Sequence, residues 1–128
     1  MANIIPLGID SVTGQYKVLS PADSVANTGG QTVNRTAIAA GNYSVLVSDY
    51  IVSKTGITGG GDTVTLPSAA ASGEGAIYII KDESGTAYTN NISIDTGGGN
   101  IDGAASQVID QNYMSLTIYC NGSDYFII

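Results

Sequence analysis

Histidine and tryptophan are absent from this sequence, cysteine occurs once, and only four residues carry a positive charge. Without histidine and with a single thiol, the chain lacks the side chains on which most acid–base, nucleophilic and metal chemistry rests. Cys120 cannot close an internal disulfide, so the fold must rest on packing. Four cations against eleven carboxylates leave a net charge of −7, and no Lys/Arg cluster offers a phosphate backbone a landing site. Apolar runs stop at four or five residues, far short of the roughly 20 that a membrane helix needs. Met1–Pro6 shows no basic region followed by an apolar stretch, so no secretory signal is expected. These absences point to a non-enzyme without cofactor or metal, made in a cytoplasm and binding neither nucleic acid nor membrane.

What the sequence does have is glycine, serine, threonine, asparagine and short apolar stretches. Apolar residues reach 43% and charged ones only 12%, a mix that suits a turn-rich β-protein or one that buries surface against its own copies. From Tyr43 onward, strands alternate with turn clusters: Tyr43–Val47, Tyr50–Val52, Thr63–Leu66, Ala76–Ile80, Asn91–Ile94, a short piece at Ile101, Val108–Ile109, Met114–Cys120 and Tyr125–Ile128. No stretch keeps a helical period for three turns, though one helical turn fits at Ala69–Gly75. The expected fold is all-β, an antiparallel β-sandwich or jelly-roll-like domain. Asn121-Gly122 between the last two strands predicts a tight hairpin with positive φ at both central residues. Cys120, on the same side as Met114, Leu116 and Ile118, reads as a small buried apolar residue.

Ile77, Tyr78, Ile79 and Ile80 form a strand that is apolar on both faces and must be covered on both. In so small a domain, one cover is the core and the other a neighbouring subunit. The first 36 residues differ from the rest. Gly8–Leu19 predicts a small hairpin turning at Thr13-Gly14, and Ser20-Pro21-Ala22-Asp23 has the signature of a short helix start. The predicted organisation is therefore an extended N-terminal arm over 1–36 and a β-domain over 37–128.

Three motifs carry chemistry in other proteins. Asp95-Thr96-Gly97 spells the aspartic-protease triplet, but the glycine-rich flap and the second apolar-apolar-Gly element such enzymes need do not follow it. As a calcium loop the same stretch places Gly97 and Gly99 where oxygen ligands belong. Gly97-Gly98-Gly99-Asn100-Ile101-Asp102 approaches a calcium-binding β-roll repeat but occurs once, whereas that motif works as a stacked array. A cation near Asp95 and Asp102 is left open by the residues. The glycines of Gly56–Gly61 follow Lys54-Thr55 instead of preceding it, the reverse of a phosphate loop. Tyr78 and Tyr119 offer aromatic faces for sugar stacking, beside the ordinary reading of tyrosine as a half-buried sheet residue.

Pro6-Leu-Gly-Ile-Asp-Ser-Val-Thr-Gly-Gln-Tyr-Lys-Val-Leu-Ser-Pro-Ala-Asp23 resembles the opening segment of many tailed-phage virion proteins. Tyr43–Val47, Val64–Pro67, Ile79–Asp82 with Ser84-Gly85, Asn91–Ile94, Ile101–Gly103 and Gly122–Ile128 resemble the small β-domains of phage head fibres, capsid decoration proteins and fibre tips. The resemblance implies a homotrimer on the virion surface, attached to the major capsid or another virion protein through its N-terminal region. Ile4, Ile5, Pro6, Leu7 and Ile9 are the expected anchor, and Ile77, Tyr78, Ile79 and Ile80 the expected subunit interface. The absence of an internal repeat favours a short head fibre or decoration protein over a long tail fibre. A carbohydrate-binding tip or adhesin that recognises a host-surface glycan is the alternative expectation.

Overall fold

The structure, a computed structural model, describes residues 7–9, 16–18 and 30–128. Its contacts divide the chain into two units, Met1–Thr32 and Val33–Ile128. In the first unit, β1 (Leu7–Ile9) pairs antiparallel with β2 (Tyr16–Val18), joining Leu7 to Val18 and Ile9 to Tyr16, as the hairpin expectation requires. The predicted turn at Thr13-Gly14 and the helix start at Ser20–Asp23 lie outside the described residues.

The second unit is built from nine strands and one helical turn. Strands β3 (Arg35–Ile38), β5 (Ile51–Lys54) and β7 (Ile77–Asp82) lie in one sheet, and β4 (Tyr43–Ser44), β6 (Asp62–Leu66) and β8 (Ile92–Thr96) in the other. The chain therefore changes sheet after every strand from β3 to β7. Parallel neighbours need a crossover connection; here the crossover from each strand to the next in its own sheet is a strand of the opposite sheet. Accordingly β3–β5, β5–β7, β4–β6 and β6–β8 all pair in parallel. Only at the end does the chain turn back on itself. β9 (Ser106–Ile109) pairs antiparallel with β8, β10 (Ser115–Cys120) with β7, and β11 (Tyr125–Ile127) with β10. The expected all-β, sandwich-like character holds, but the sheets are mixed instead of antiparallel.

Period-2 alternation decides what each sheet buries. In β6, Asp62, Val64 and Leu66 face inward while Thr63 and Thr65 face out; in β8, Ile92 and Ile94 face inward while Ser93 and Asp95 face out. Val52, Tyr78, Ile80, Ile118 and Cys120 supply the inner face of the first sheet, and Ile101, Ile109 and Tyr125 complete the core. The Tyr78 and Tyr125 rings lie 6.3 Å apart, and both hydroxyls meet Ser72 Oγ, at 2.8 and 2.7 Å. Ser72 ends the one helical turn, α1 (Ala69–Ser72), which Ser68 caps by accepting the Ala71 N–H at 3.1 Å. A short helix thus supplies the polar partner that two buried phenols require. Burial, opposed by the Ser72 hydrogen bond, pushes the Tyr125 hydroxyl up to about 12. Cys120 is buried, with its thiol 3.3 Å from the Ala69 carbonyl oxygen it donates to.

The hairpin between β10 and β11 is present, with a loop longer than the two-residue turn expected. Cys120 pairs with Tyr125, and Asn121 Oδ1 accepts the N–H groups of Ser123 and Asp124 at 2.9 and 2.8 Å. That side-chain turn leaves positive φ to Gly122 (97°) and removes the need for it at Ser123. The strand expected at Ile101 is a single bridging residue, joined to Ala104 and Tyr125; the partner of β8 is β9.

Candidate functional site

The two outer faces of the sandwich differ in chemistry. On the sheet of β4, β6, β8 and β9, the outward residues are Ser44, Thr63, Thr65, Ser93, Asp95, Ser106 and Val108, nearly all polar. On the other sheet, the register aligns Phe126, Tyr119 and Ile77 in one row, and Thr117, Ile79 and Ile51 in the next. The Tyr119 and Phe126 rings lie 5.6 Å apart, and Ile128, 69% exposed, donates its N–H to the Thr117 carbonyl. The third row, Ser115, Lys81, Ser53 and Ala37, is polar or small.

Of the four residues expected to meet a neighbouring subunit, Tyr78 and Ile80 are fully buried in the core of their own chain, since they occupy the inward positions of β7. Ile77 and Ile79 occupy the outward positions and remain half-exposed. The apolar face is wider than one strand, drawing on β5, β10 and β11, which reading β7 alone could not reveal. Of the anchor residues, Ile4, Ile5 and Pro6 lie outside the described residues, while Leu7 and Ile9 are the ends of β1.

Charge on this face is sparse. Arg35 pairs with Glu83 through Nε–Oε2 at 3.0 Å and Nη2–Oε1 at 2.5 Å. The pair spans β5 and holds the Glu83 carboxyl down to about 2, chiefly through the hydrogen bond from Arg35. Ser53 Oγ, on the same face of β5, is buried without a hydrogen bond of sound geometry, although its nearness to Glu83 also favours that carboxylate.

Three buried carboxylates fasten the loops that carry the chain from sheet to sheet. Asp49 accepts the hydroxyls of Thr36 and Tyr43, both at 2.7 Å, and the Leu46 N–H at 2.9 Å. Burial opposes its ionisation, yet these donors hold it below the ordinary carboxylate value. Asp62 Oδ2 meets Lys54 Nζ at 3.0 Å and accepts the N–H groups of Gly41 at 2.8 Å and Thr58 at 3.1 Å. Lys54 Nζ also donates to the carbonyls of Ala39 (2.8 Å) and Gly41. Against the penalty of burial, the donors on Asp62 bring its carboxyl down to about 2.

Asp82, at the end of β7, is the densest of the three. Its Oδ1 accepts the Ser84 N–H at 2.9 Å, the Ser84 hydroxyl at 2.6 Å and the Gly85 N–H at 3.0 Å. Its Oδ2 accepts the Ala87 N–H at 3.1 Å and the Tyr113 N–H at 3.0 Å, tying the loop after β7 to the loop before β10. Burial raises the carboxyl, but Ser84, Tyr113, Ala87 and Gly85 outweigh it and leave it below its ordinary value. Tyr113 is held at φ 64°, unusual for a bulky side chain. Tyr88 donates its N–H to Asn112 Oδ1 at 2.9 Å, and Lys81 Nζ donates to the Tyr113 carbonyl. Both rings stay outside the fold: Tyr88 is 69% exposed and Tyr113 62%.

The motifs singled out in the sequence are absorbed by local structure. Thr96 Oγ1 donates to the Gly99 carbonyl at 2.6 Å and Gly97 donates its N–H to Leu66, so Asp95-Thr96-Gly97 closes a turn. Asp102 Oδ1 accepts the Ile127 N–H at 3.1 Å. Among the described residues, no three metal-ligating side chains gather around one point. In the Gly56–Gly61 loop, Thr58, Gly60 and Gly61 spend their N–H groups on Asp62, Asn90 and the Thr58 carbonyl, so the loop's donors are turned inward. Tyr78 is core and Tyr119 stacks beside Phe126. Asp49, Asp62, Asp82, Tyr88 and Tyr113 escaped the sequence reading because each looks like turn punctuation. An aromatic residue inside a polar turn cluster is the signal that would have found the last two, since no strand neighbour is there to bury it. No protein-family model matches the sequence, and no curated protein matches it.

Proposed function

We propose that this chain is a structural display protein of a virion: a homotrimeric head fibre or capsid decoration protein that performs no catalysis and whose N-terminal region binds the capsid. The observation that carries the reading is the contrast between the two faces of the sandwich. Four strands at about 4.8 Å spacing and two outward rows roughly 7 Å apart give an apolar area of roughly 260 Å². Ile51, Ile77, Ile79, Tyr119 and Phe126 make its two apolar rows. Contiguous apolar patches of a few hundred Å² on soluble domains are often functional, and this one supplies about a third of the roughly 800 Å² per partner of a standard interface. Glu83, a carboxylate beside it, is paired with Arg35. Copies of a chain with net charge −7 therefore meet there without facing like charges. The subunit number and the virion setting come from the resemblance of the chain to phage appendage proteins.

Light scattering on the purified chain tests the association. The expected mass is three times the 13.0 kDa chain, and Ile79→Asp, at an already half-exposed site, is expected to give folded monomers. A wild-type monomer at high micromolar concentration would overturn the interface, and a dimer would overturn the trimer. Removing residues 1–32 is expected to leave the oligomer intact and abolish co-sedimentation with capsids; retained co-sedimentation refutes the anchor.

A further inference from the structure

We propose that Tyr88 and Tyr113 form a binding platform for a neutral oligosaccharide, held in shape by Asp82. The two exposed rings project from different loops, and one buried carboxylate ties both loops down through Ala87 and Tyr113. The fold spends positive φ on Tyr113 without burying its ring; strained backbone at a non-glycine residue clusters at sites of function. Gly85 makes room for that ring, since a Cβ there would stand 2.8 Å from Tyr113 Cε2.

The chemistry around the rings selects the ligand class. Tyrosine offers a large amphipathic surface at low entropic cost, and Ser, Gly and Asn offer adaptable hydrogen bonding. Ser84, Thr86, Asn90 and Asn112, on the same two loops as the rings, carry neutral hydroxyl and amide groups. The nearby cation, Lys81, already donates to the Tyr113 carbonyl. With the chain at −7, a sialylated or sulfated glycan is disfavoured, while a neutral pyranose presents a C–H face for the rings and hydroxyls for the amides. The polar row of Ser115, Lys81, Ser53 and Ala37 separates this platform from Ile77 and Ile79, so it is independent of the association proposed above.

The test is an array of neutral, sialylated and sulfated oligosaccharides probed with the labelled full chain, followed by calorimetry with the best soluble neutral ligand. Tyr88→Ala and Tyr113→Ala are each expected to lower per-site affinity at least tenfold while leaving circular dichroism and oligomer mass unchanged. Tyr119→Ala and Ile79→Asp are expected to leave per-site affinity within twofold. The proposal falls if no neutral glycan binds, if only anionic glycans bind, or if both tyrosine variants keep wild-type affinity. It falls equally if the tyrosine pair binds a proline-rich peptide and no sugar, or if the tyrosine variants lose affinity only by changing the oligomer mass.

Discussion

Replacing Lys54 by Met keeps the length and apolar stem of the side chain but removes the ammonium between Asp62 and two carbonyls. In the native chain Lys54 and Asp62 expose 0% and 2% of their side chains, so neither charge is screened by water. The substitution strands a buried carboxylate that keeps the N–H groups of Gly41 and Thr58 and the Thr58 hydroxyl, and it orphans the Ala39 and Gly41 carbonyls. Breaking a buried pair from one side costs about 3–5 kcal/mol. A unit of this size has about 5–15 kcal/mol in total, so the variant should fold but be fragile. With a urea slope of about 1–2 kcal/mol/M, the midpoint should move down by roughly 1.5–5 M at fixed protein concentration. Carboxyl NMR should show the Asp62 titration moving up from about 2, because burial then acts with one fewer opposing donor. A midpoint shift below about 0.5 M, with the Asp62 titration unmoved, would refute a buried, coupled pair.

Acid should destabilise the chain in one window only. Asp49, Asp62 and Asp82 are depressed in the folded state, so each contributes stability that is fully present above the unfolded value near 3.9 and is lost as pH falls through the folded values, about 2 for Asp62. Melting temperature is thus expected to be flat between pH 8 and 5, where the chain has no histidine to titrate, and to fall below about pH 4; a fall between pH 7 and 5 contradicts this. Two glycines of one loop should respond differently to alanine. Gly61 sits at φ 103°, and its Cβ would stand 2.6 Å from the Asn91 carbonyl oxygen, so Gly61→Ala should cost about 2–3 kcal/mol in a denaturant melt. Gly59→Ala meets nothing within 4 Å and should stay within about 0.5 kcal/mol; equal effects at both sites would undo the argument.

The strands and much of the core were legible because alternation is a local signal: Val64, Leu66, Ile92, Ile94 and Ile118 face inward as their patterns require. Pairing was not legible, because alternation says which face a residue takes and nothing about which strand lies beside it. Strand β6 reads the same whether it pairs with an antiparallel neighbour or, as here, in parallel with β4 and β8. The coils are also unequal, since the step from Arg35 to its partner Ile51 is much shorter than the step from Ile51 to Ile79. A winding of unequal coils leaves no sequence period to detect. At the candidate sites, the outward half of β7 could be read from the chain. The breadth of the apolar face and the meeting of loops 84–87 and 111–113 at Asp82 depend on contacts between residues far apart in sequence.

The alternating path from sheet to sheet also sets the order in which the domain can form. β3 and β4 must each wait for the strand two places later before they have a neighbour in their own sheet, β5 and β6 wait as long for a second one, and β7 finds its second neighbour only in β10. Tyr125, in β11, then joins Tyr78 and Ser72 to complete the centre of the core. Most contacts therefore close long loops, which places the domain among slow, millisecond-to-second folders. Synthesis from the N-terminal end leaves the early coils with half a core and open strand edges until β10 and β11 arrive. In that interval the unpaired edge of β7 is the part of the chain most exposed to pairing with the wrong partner.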